Sequence, residues 1–174
     1  MMATGRRLEV LISREELRGI VARLGAEITS DCAGQRLVVV GVLRGAFVFL
    51  ADLVRELDLP IEVDFIRVAS YAGTHSTGKV KMAADLDTDV AGRPVLLVED
   101  IVDTGRTTEW LLRHFRAKGA ASVRICTLLD KAEMREVPVK LDYTGKVIPN
   151  KFVVGYGLDV DQELRQLPAI YVVT

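Results

Sequence analysis

The stretch Val95-Leu96-Leu97-Val98-Glu99-Asp100-Ile101-Val102-Asp103-Thr104-Gly105-Arg106-Thr107-Thr108 decides the fold of this 174-residue chain. Four apolar residues, Val95 to Val98, read as a short buried strand. Two adjacent carboxylates mark its end, and Asp103-Thr104-Gly105 makes a tight loop. The amphipathic run from Glu109 to Lys118, closed by Gly119, is a helix that starts at about Thr107. Strand, acidic tip, Gly-containing loop and helix start make an anion site, because loop amides and the free N–H groups of the first helical turn point the same way. Gly105 can adopt the positive φ such a loop needs. The hydroxyls of Thr104, Thr107 and Thr108 add donors. Asp103 can also serve as the N-cap of the helix.

The acids narrow the ligand. Glu99 and Asp100 beside a phosphate would repel it unless they grip something else. Sugar hydroxyls, which carboxylates accept from, and Mg²⁺, which takes oxygen ligands and accompanies phosphates, are the two candidates. A ligand that carries phosphate, ribose and metal together meets all three features.

Working outward, the chain alternates strands and helices. Ser13-Arg14-Glu15-Glu16 is a capping box, and Leu17, Ile20, Val21, Leu24 and Ile28 follow at helical spacing. Leu37 to Gly41 is a continuous apolar run of the kind buried in parallel sheets. A helix is expected over Ala46 to Leu57, a strand over Ile61 to Val68, and a further strand over Ser122 to Leu129. Ser70 to Met82, rich in Gly, Ser and Thr, reads as a long flexible loop, of a length that is usually functional or disordered. The region after Lys131, with three prolines, is expected to mix short strands and turns. The pattern is one α/β domain over residues 1–174, with an open, mainly parallel sheet flanked by helices. Ligands of such sheets lie beyond the C-terminal strand ends. Arg44, Ser70, Glu99 and Lys131 each follow an expected strand, so four segments deliver polar residues to one edge.

These segments resemble, in order, the motifs of the type I phosphoribosyltransferases. Glu99 to Thr107 is similar to their loop for 5-phosphoribosyl pyrophosphate (PRPP), and Leu43-Arg44-Gly45 to their pyrophosphate loop. Ser70-Tyr71 through Lys79 resembles their active-site lid. Leu129-Asp130-Lys131 and Lys151 to Tyr156 with Leu158-Asp159 resemble the base-reading segments of the 6-oxopurine (hypoxanthine-guanine) branch. The resemblance spans about residues 40 to 165. It implies the type I phosphoribosyltransferase fold, with a small hood formed by the terminal segments. It implies transfer of phosphoribosyl from PRPP to hypoxanthine or guanine, with IMP or GMP and pyrophosphate as products. Asp103 is then the base for the purine N7 proton. Glu99, Asp100, Asp103, Thr104, Gly105, Arg106 and Thr107 hold the phosphate and ribose. Arg44, Gly45 and Arg165 hold pyrophosphate, although many members carry Lys in place of Arg44. Lys131, Phe152, Val153 and Asp159 hold the base, Ser70 and Tyr71 belong to the lid, and Glu99, Asp100 and Asp159 bind Mg²⁺. The family's peptide equivalent to Leu43-Arg44 can be cis, and homodimers or homotetramers are usual.

Other readings are weaker. Gly73 to Lys79 nearly matches a nucleotide-triphosphate loop, but Val80 replaces the required hydroxyl residue. Asp85-x-Asp87-x-Asp89 lacks the Gly and Glu of a calcium loop. A net charge of −1 gives no basic face for nucleic acid or an anionic membrane. That disfavours an RNA-binding regulator built on the same PRPP fold. A xanthine-preferring enzyme is the nearer rival. The N-terminus lacks a signal-peptide core, the apolar runs are too short to cross a bilayer, and Cys32 and Cys126 have no metal or redox spacing. The expected location is the cytoplasm.

Overall fold

The computed structural model describes residues 2–3, 6–70 and 80–174. Tyr71 and the Gly73 to Lys79 motif lie outside the described residues, as does the side chain of Ser70. The strands are β1 (Met2–Ala3), β2 (Arg6–Ile12), β3 (Leu37–Leu43), β4 (Ile61–Ser70) and β5 (Val80–Ala84), then β6 (Pro94–Val102), β7 (Ser122–Asp130), β8 (Tyr143–Val147), β9 (Val153–Val154) and β10 (Ile170–Val173). The helices are α1 (Arg14–Asp31), α2 (Phe47–Leu53) and α3 (Arg106–Ala117), with a 3₁₀ turn at Ala132–Met134.

Six strands form the main sheet in the order β5-β4-β3-β6-β7-β8. All pairings are parallel except β4 with β5. The chain leaves β3 outward to β4 and β5, returns to β6 on the other side of β3, and continues outward to β7 and β8. The reversal falls between β3 and β6, which makes that junction the topological switch point. Pairing of β3 with β6 runs only from Val38–Val95 to Gly41–Val98. Beyond it β3 continues two residues against β4, and β6 continues against β7 to Val102. The two central strands therefore part, and a crevice opens between their ends.

Alternation along β6 sends its side chains to two layers. Leu96 and Val98 join Leu17, Leu24 and Ile28 of α1 and Phe49 and Leu53 of α2. Val95 and Leu97 join Leu111, Leu112 and Phe115 of α3. A second sheet, β1-β2-β10-β9, pairs the N-terminal with the C-terminal segment. It has its own small core of Leu8, Val154 and Leu164, and it forms the expected hood.

Three boundaries differ from expectation. Helix α2 stops at Leu53, where Arg55 and Glu56 N–H groups turn to the i−3 carbonyls of Asp52 and Leu53 and tighten the last turn. β5 occupies part of the expected loop before Ala84. β6 runs four residues past Val98, so Glu99 and Asp100 lie within a strand rather than after it. The acidic turn begins on α3, where Asp85 pairs with His114 at 3.0 Å and Lys118 at 2.8 Å.

Two glycines of α1 give opposed expectations. A Cβ on Gly25 would sit 2.5 Å from Glu56 Cβ, whereas one on Gly19 meets nothing within 4 Å. Gly25→Ala is expected to destabilise by about 1–3 kcal/mol through overpacking. Gly19→Ala is expected to stabilise by about 0.5–1 kcal/mol through helix propensity. Urea unfolding of both variants checks the pair.

Candidate active site

The loop after β6 has the build of an anion cup. Gly105 is the N-cap of α3 at φ 83°, and no side chain caps the helix. Asp103 is therefore not its cap; the Arg106 N–H makes a long 3.4 Å bond to the Thr104 hydroxyl, and the first-turn amides after it stay available to a ligand. Gly105 is required twice over: its φ is left-handed, and an added Cβ would lie 2.5 Å from the Val137 carbonyl.

The segment after β7 braces this loop from outside. The N–H groups of Glu136 and Val137 both donate to the Thr104 carbonyl at 3.0 Å. Arg135 Nη1 donates to the Asp103 carbonyl at 2.6 Å, and Arg135 Nη2 pairs with Asp130. Arg135 was not found from the sequence, because its partners are 5 and 32 residues away and no local motif marks it. With its carbonyl fixed, Asp103 presents an exposed carboxylate on the loop.

Two expected donors are redirected. Arg106 pairs with Glu136 at 2.6 Å, so its side chain turns to the brace, and its backbone N–H donates to the Thr104 hydroxyl at 3.4 Å. Thr108 is 2 % exposed, and its hydroxyl donates to Glu99 Oε1 at 2.8 Å. The signal was present in the sequence: Thr108, Leu111, Leu112 and Phe115 share the inward helical stripe.

Glu99 and Asp100 take opposite faces of β6, as adjacent strand residues must. Glu99 faces α3 beneath the loop. Asp100 faces the parting of β3 and β6, where its Oδ2 would lie 1.6 Å from a Cβ built on Gly45. Asp159 and Arg165 are near enough to act on the Asp100 charge. The expected metal set is thus divided, with Asp100 and Asp159 on one side and Glu99 on the other. No group of three or more His, Cys, Asp or Glu among the described residues could hold a metal. Asp100 with Asp159 suits the Mg²⁺ mode in which one or two carboxylates share the ion with substrate oxygens and water.

Arg44, Gly45 and Arg165 come together here. The Leu43-Arg44 peptide is cis. Arg165 pairs with Asp159 at 2.8 Å and donates to the Gly157 carbonyl at 2.7 Å. A Cβ on Gly157 would lie 2.1 Å from the Gly45 carbonyl, so the hood rests backbone on backbone against the β3–α2 turn.

The residues expected to read the base come from two further segments. Lys131 follows β7, and its N–H donates to the Val102 carbonyl at 2.9 Å, which fastens it beside the start of the anion loop. It is 8 % exposed, yet its ammonium has no ion pair among the described residues. Phe152 is 56 % exposed. The Val173 N–H donates to the Phe152 carbonyl at 3.1 Å, which makes Phe152–Val173 a bonded pair. Bonded and non-bonded pairs alternate, so Val153, opposite Val172, turns its N–H and C=O to the free edge of β9.

Burial controls the acids. It pushes Glu99 up to about 7, helped by the neighbouring Asp100 charge and opposed by the Thr108 hydroxyl and Arg135. Burial likewise pushes Asp100 up to about 6, with Asp159 adding and nearby amides and Arg165 opposing. A raised carboxyl pKa means the native state holds protons the unfolded chain has released. The two groups therefore reduce stability progressively as pH rises from about 4 to 7, and fully above that. Glu99→Gln keeps the acceptor for Thr108 and removes the charge. It is expected to stabilise the ligand-free protein by roughly 1–3 kcal/mol more at pH 8 than at pH 5, measured by urea unfolding at both pH values.

Likeness to known proteins follows the same lines. Residues 2–161 match the phosphoribosyl transferase domain family. A hypoxanthine-guanine phosphoribosyltransferase of Streptococcus pneumoniae is 48 % identical over 163 residues, covering 93 % of this chain and 91 % of that one. The Bacillus subtilis protein of the same name is 47 % identical, with the same coverage. A crystal structure of a Bacillus anthracis hypoxanthine-guanine phosphoribosyltransferase superposes with a TM-score of 0.91 at 42 % identity, over 95 % of this chain and 98 % of that one. The fold is that of the type I phosphoribosyltransferases, and the chain belongs to the phosphoribosyl transferase domain family.

Proposed function

We propose that this protein is a purine-salvage enzyme that transfers 5-phosphoribosyl from PRPP to N9 of hypoxanthine or guanine, giving IMP or GMP and pyrophosphate. The observation that carries this reading is the convergence at the switch point. A helix start without a side-chain N-cap, a buried and a half-buried acid and a pair of arginines gather around the β3–β6 junction with a buried lysine that has no ion pair among the described residues. Phosphate, sugar, pyrophosphate and an oxygen-bearing base need those four chemistries in that order.

In this reading the amides from Thr104 to Thr107 hold the 5′-phosphate. Glu99 and Asp100 accept from the ribose hydroxyls. Arg44 and Arg165 hold the pyrophosphate, with the backbone of Gly45 close against it. Asp100 and Asp159 would hold Mg²⁺, which when bound neutralises charge on the departing pyrophosphate. N9 bonds to C1′ as the C1′–oxygen bond breaks and its electron pair leaves with pyrophosphate. The N7 proton, acidified as that bond forms, passes to the Asp103 carboxylate. Phe152 stacks on the purine, and the Val153 backbone meets its edge. The Lys131 ammonium donates to O6, and adenine, which presents an amino donor there, leaves it unsatisfied. The protein acts in the cytoplasm as a homodimer or homotetramer, a reading that rests on family resemblance.

Asp103→Asn removes the proton acceptor and leaves the loop backbone in place. It is expected to lower kcat by roughly 10²–10⁴-fold with PRPP affinity changed less than about threefold; unchanged turnover would remove Asp103 as the base. Lys131→Ala is expected to weaken hypoxanthine use and erase most of a preference over adenine of roughly 10⁴-fold. Steady-state kinetics with both bases reads this, and a retained preference would sink the O6 assignment.

A further inference from the structure

The hood reverses direction twice over two residues. Gly155 and Leu158 exchange backbone hydrogen bonds of 2.9 and 3.1 Å, and Val160 and Glu163 exchange bonds of 3.2 and 2.9 Å. The central residues all have positive φ: Tyr156 52° and Gly157 102° in the first turn, Asp161 53° and Gln162 69° in the second. Both are type I′ hairpin turns, whose second central position strongly favours Gly. The first turn has Gly157 there. The second has Gln162, which holds a long side chain in a region that costs backbone energy. Turn preference does not account for Gln162, so its side chain must.

That side chain lies between two cations. Gln162 Oε1 accepts from Arg44 Nη1 at 2.6 Å and from Arg165 Nη2 at 3.2 Å. Its own N–H is held by Asp159 Oδ2 at 2.9 Å, and Asp161 beside it is tied to Arg6 at 2.9 Å. Arg44, Gln162 and Arg165 line a cavity of about 600 Å³ with Leu43, Phe47 and Phe65. Arg165 already has Asp159, whereas Arg44 has no carboxylate partner among the described residues. A carboxylate in place of the amide would satisfy both guanidinium groups and cancel their charge. A shorter residue would leave Arg44 to swing away from Arg165, which Asp159 and the Gly157 carbonyl hold. A neutral oxygen holds them convergent and leaves the charge available. It is also the acceptor most readily displaced by a charged phosphate oxygen, whose bonds to guanidinium are roughly twice as strong.

We propose that Gln162 is a positioning residue of the pyrophosphate corner. Its amide oxygen keeps Arg44 and Arg165 aimed at one point in the ligand-free protein, and surrenders both donors to phosphate oxygens when pyrophosphate or PRPP binds. This rests on the functional reading above, which assigns the two arginines to pyrophosphate.

The test uses Gln162→Glu and Gln162→Gly in the full chain. Pyrophosphate is titrated in magnesium buffer by calorimetry, and the KM values for pyrophosphate and IMP are taken in the reverse reaction. Gln162→Glu is expected to weaken pyrophosphate about tenfold or more, with the KM for IMP and kcat within about twofold, as lost charge complementarity requires. Gln162→Gly is expected to raise the melting temperature, because the turn is relieved, and still to weaken pyrophosphate by about three- to tenfold. That opposition separates positioning from a structural role. Unchanged pyrophosphate affinity in Gln162→Gly overturns the proposal, whatever Gln162→Glu does. If the wild type binds pyrophosphate but makes no nucleotide, the functional reading fails while the calorimetric comparison still decides the role of Gln162.

Discussion

Everything in this molecule depends on two neighbouring strands that stop pairing before they end. β3 and β6 are hydrogen-bonded only as far as Gly41 and Val98, and each then continues against its outer neighbour. A sheet interior cannot tolerate the acids and guanidinium groups that follow, because an unpaired charge taken out of water is severely penalised. A crevice between diverging strand ends can hold them. The last apolar residues of both strands fix the crevice against two cores, and Arg44 and Asp100 after them turn toward it.

The chemistry of the crevice is held by backbone contact more than by side chains. Gly45 leaves room for the Asp100 carboxylate, Gly157 lets the hood touch the Gly45 carbonyl, and Gly105 lets the anion loop touch Val137. At each point a Cβ would collide with backbone or with the Asp100 carboxylate. Such close approach sets the geometry of loops that carry few apolar contacts of their own. The Arg135 bridge from Asp103 to Asp130 adds to it, tying the anion loop to the strand that presents Lys131.

Much of this was legible in the sequence. The strand–loop–helix unit, the two-layer α/β pattern and the edge to which Arg44, Glu99 and Lys131 are delivered follow from apolar periodicity and from the position of Gly105. The hood and most base-side residues came from family resemblance. Other features were hidden for physical reasons. Apolar patterning ends a strand at its last hydrophobic residue, so β6 looked shorter than it is and Glu99 and Asp100 looked like one pair on one side. Thr108 was grouped by its hydroxyl with the loop, although the helical stripe it shares with Leu111 and Phe115 sends it inward. Arg106 could not be assigned to Glu136 without knowing which segment lies against the loop. The turn at Asp161-Gln162 carries no glycine, so nothing in its composition announces two left-handed residues.

The reaction proposed for the crevice joins PRPP to a 6-oxopurine. The most direct measurement mixes the purified protein with PRPP and Mg²⁺ and supplies hypoxanthine, guanine, xanthine or adenine in turn, following nucleotide formation by absorbance. The account predicts turnover of hypoxanthine or guanine that is lost when Mg²⁺ is withheld and is weak with adenine. No nucleotide with any base, or equal use of adenine, would contradict it.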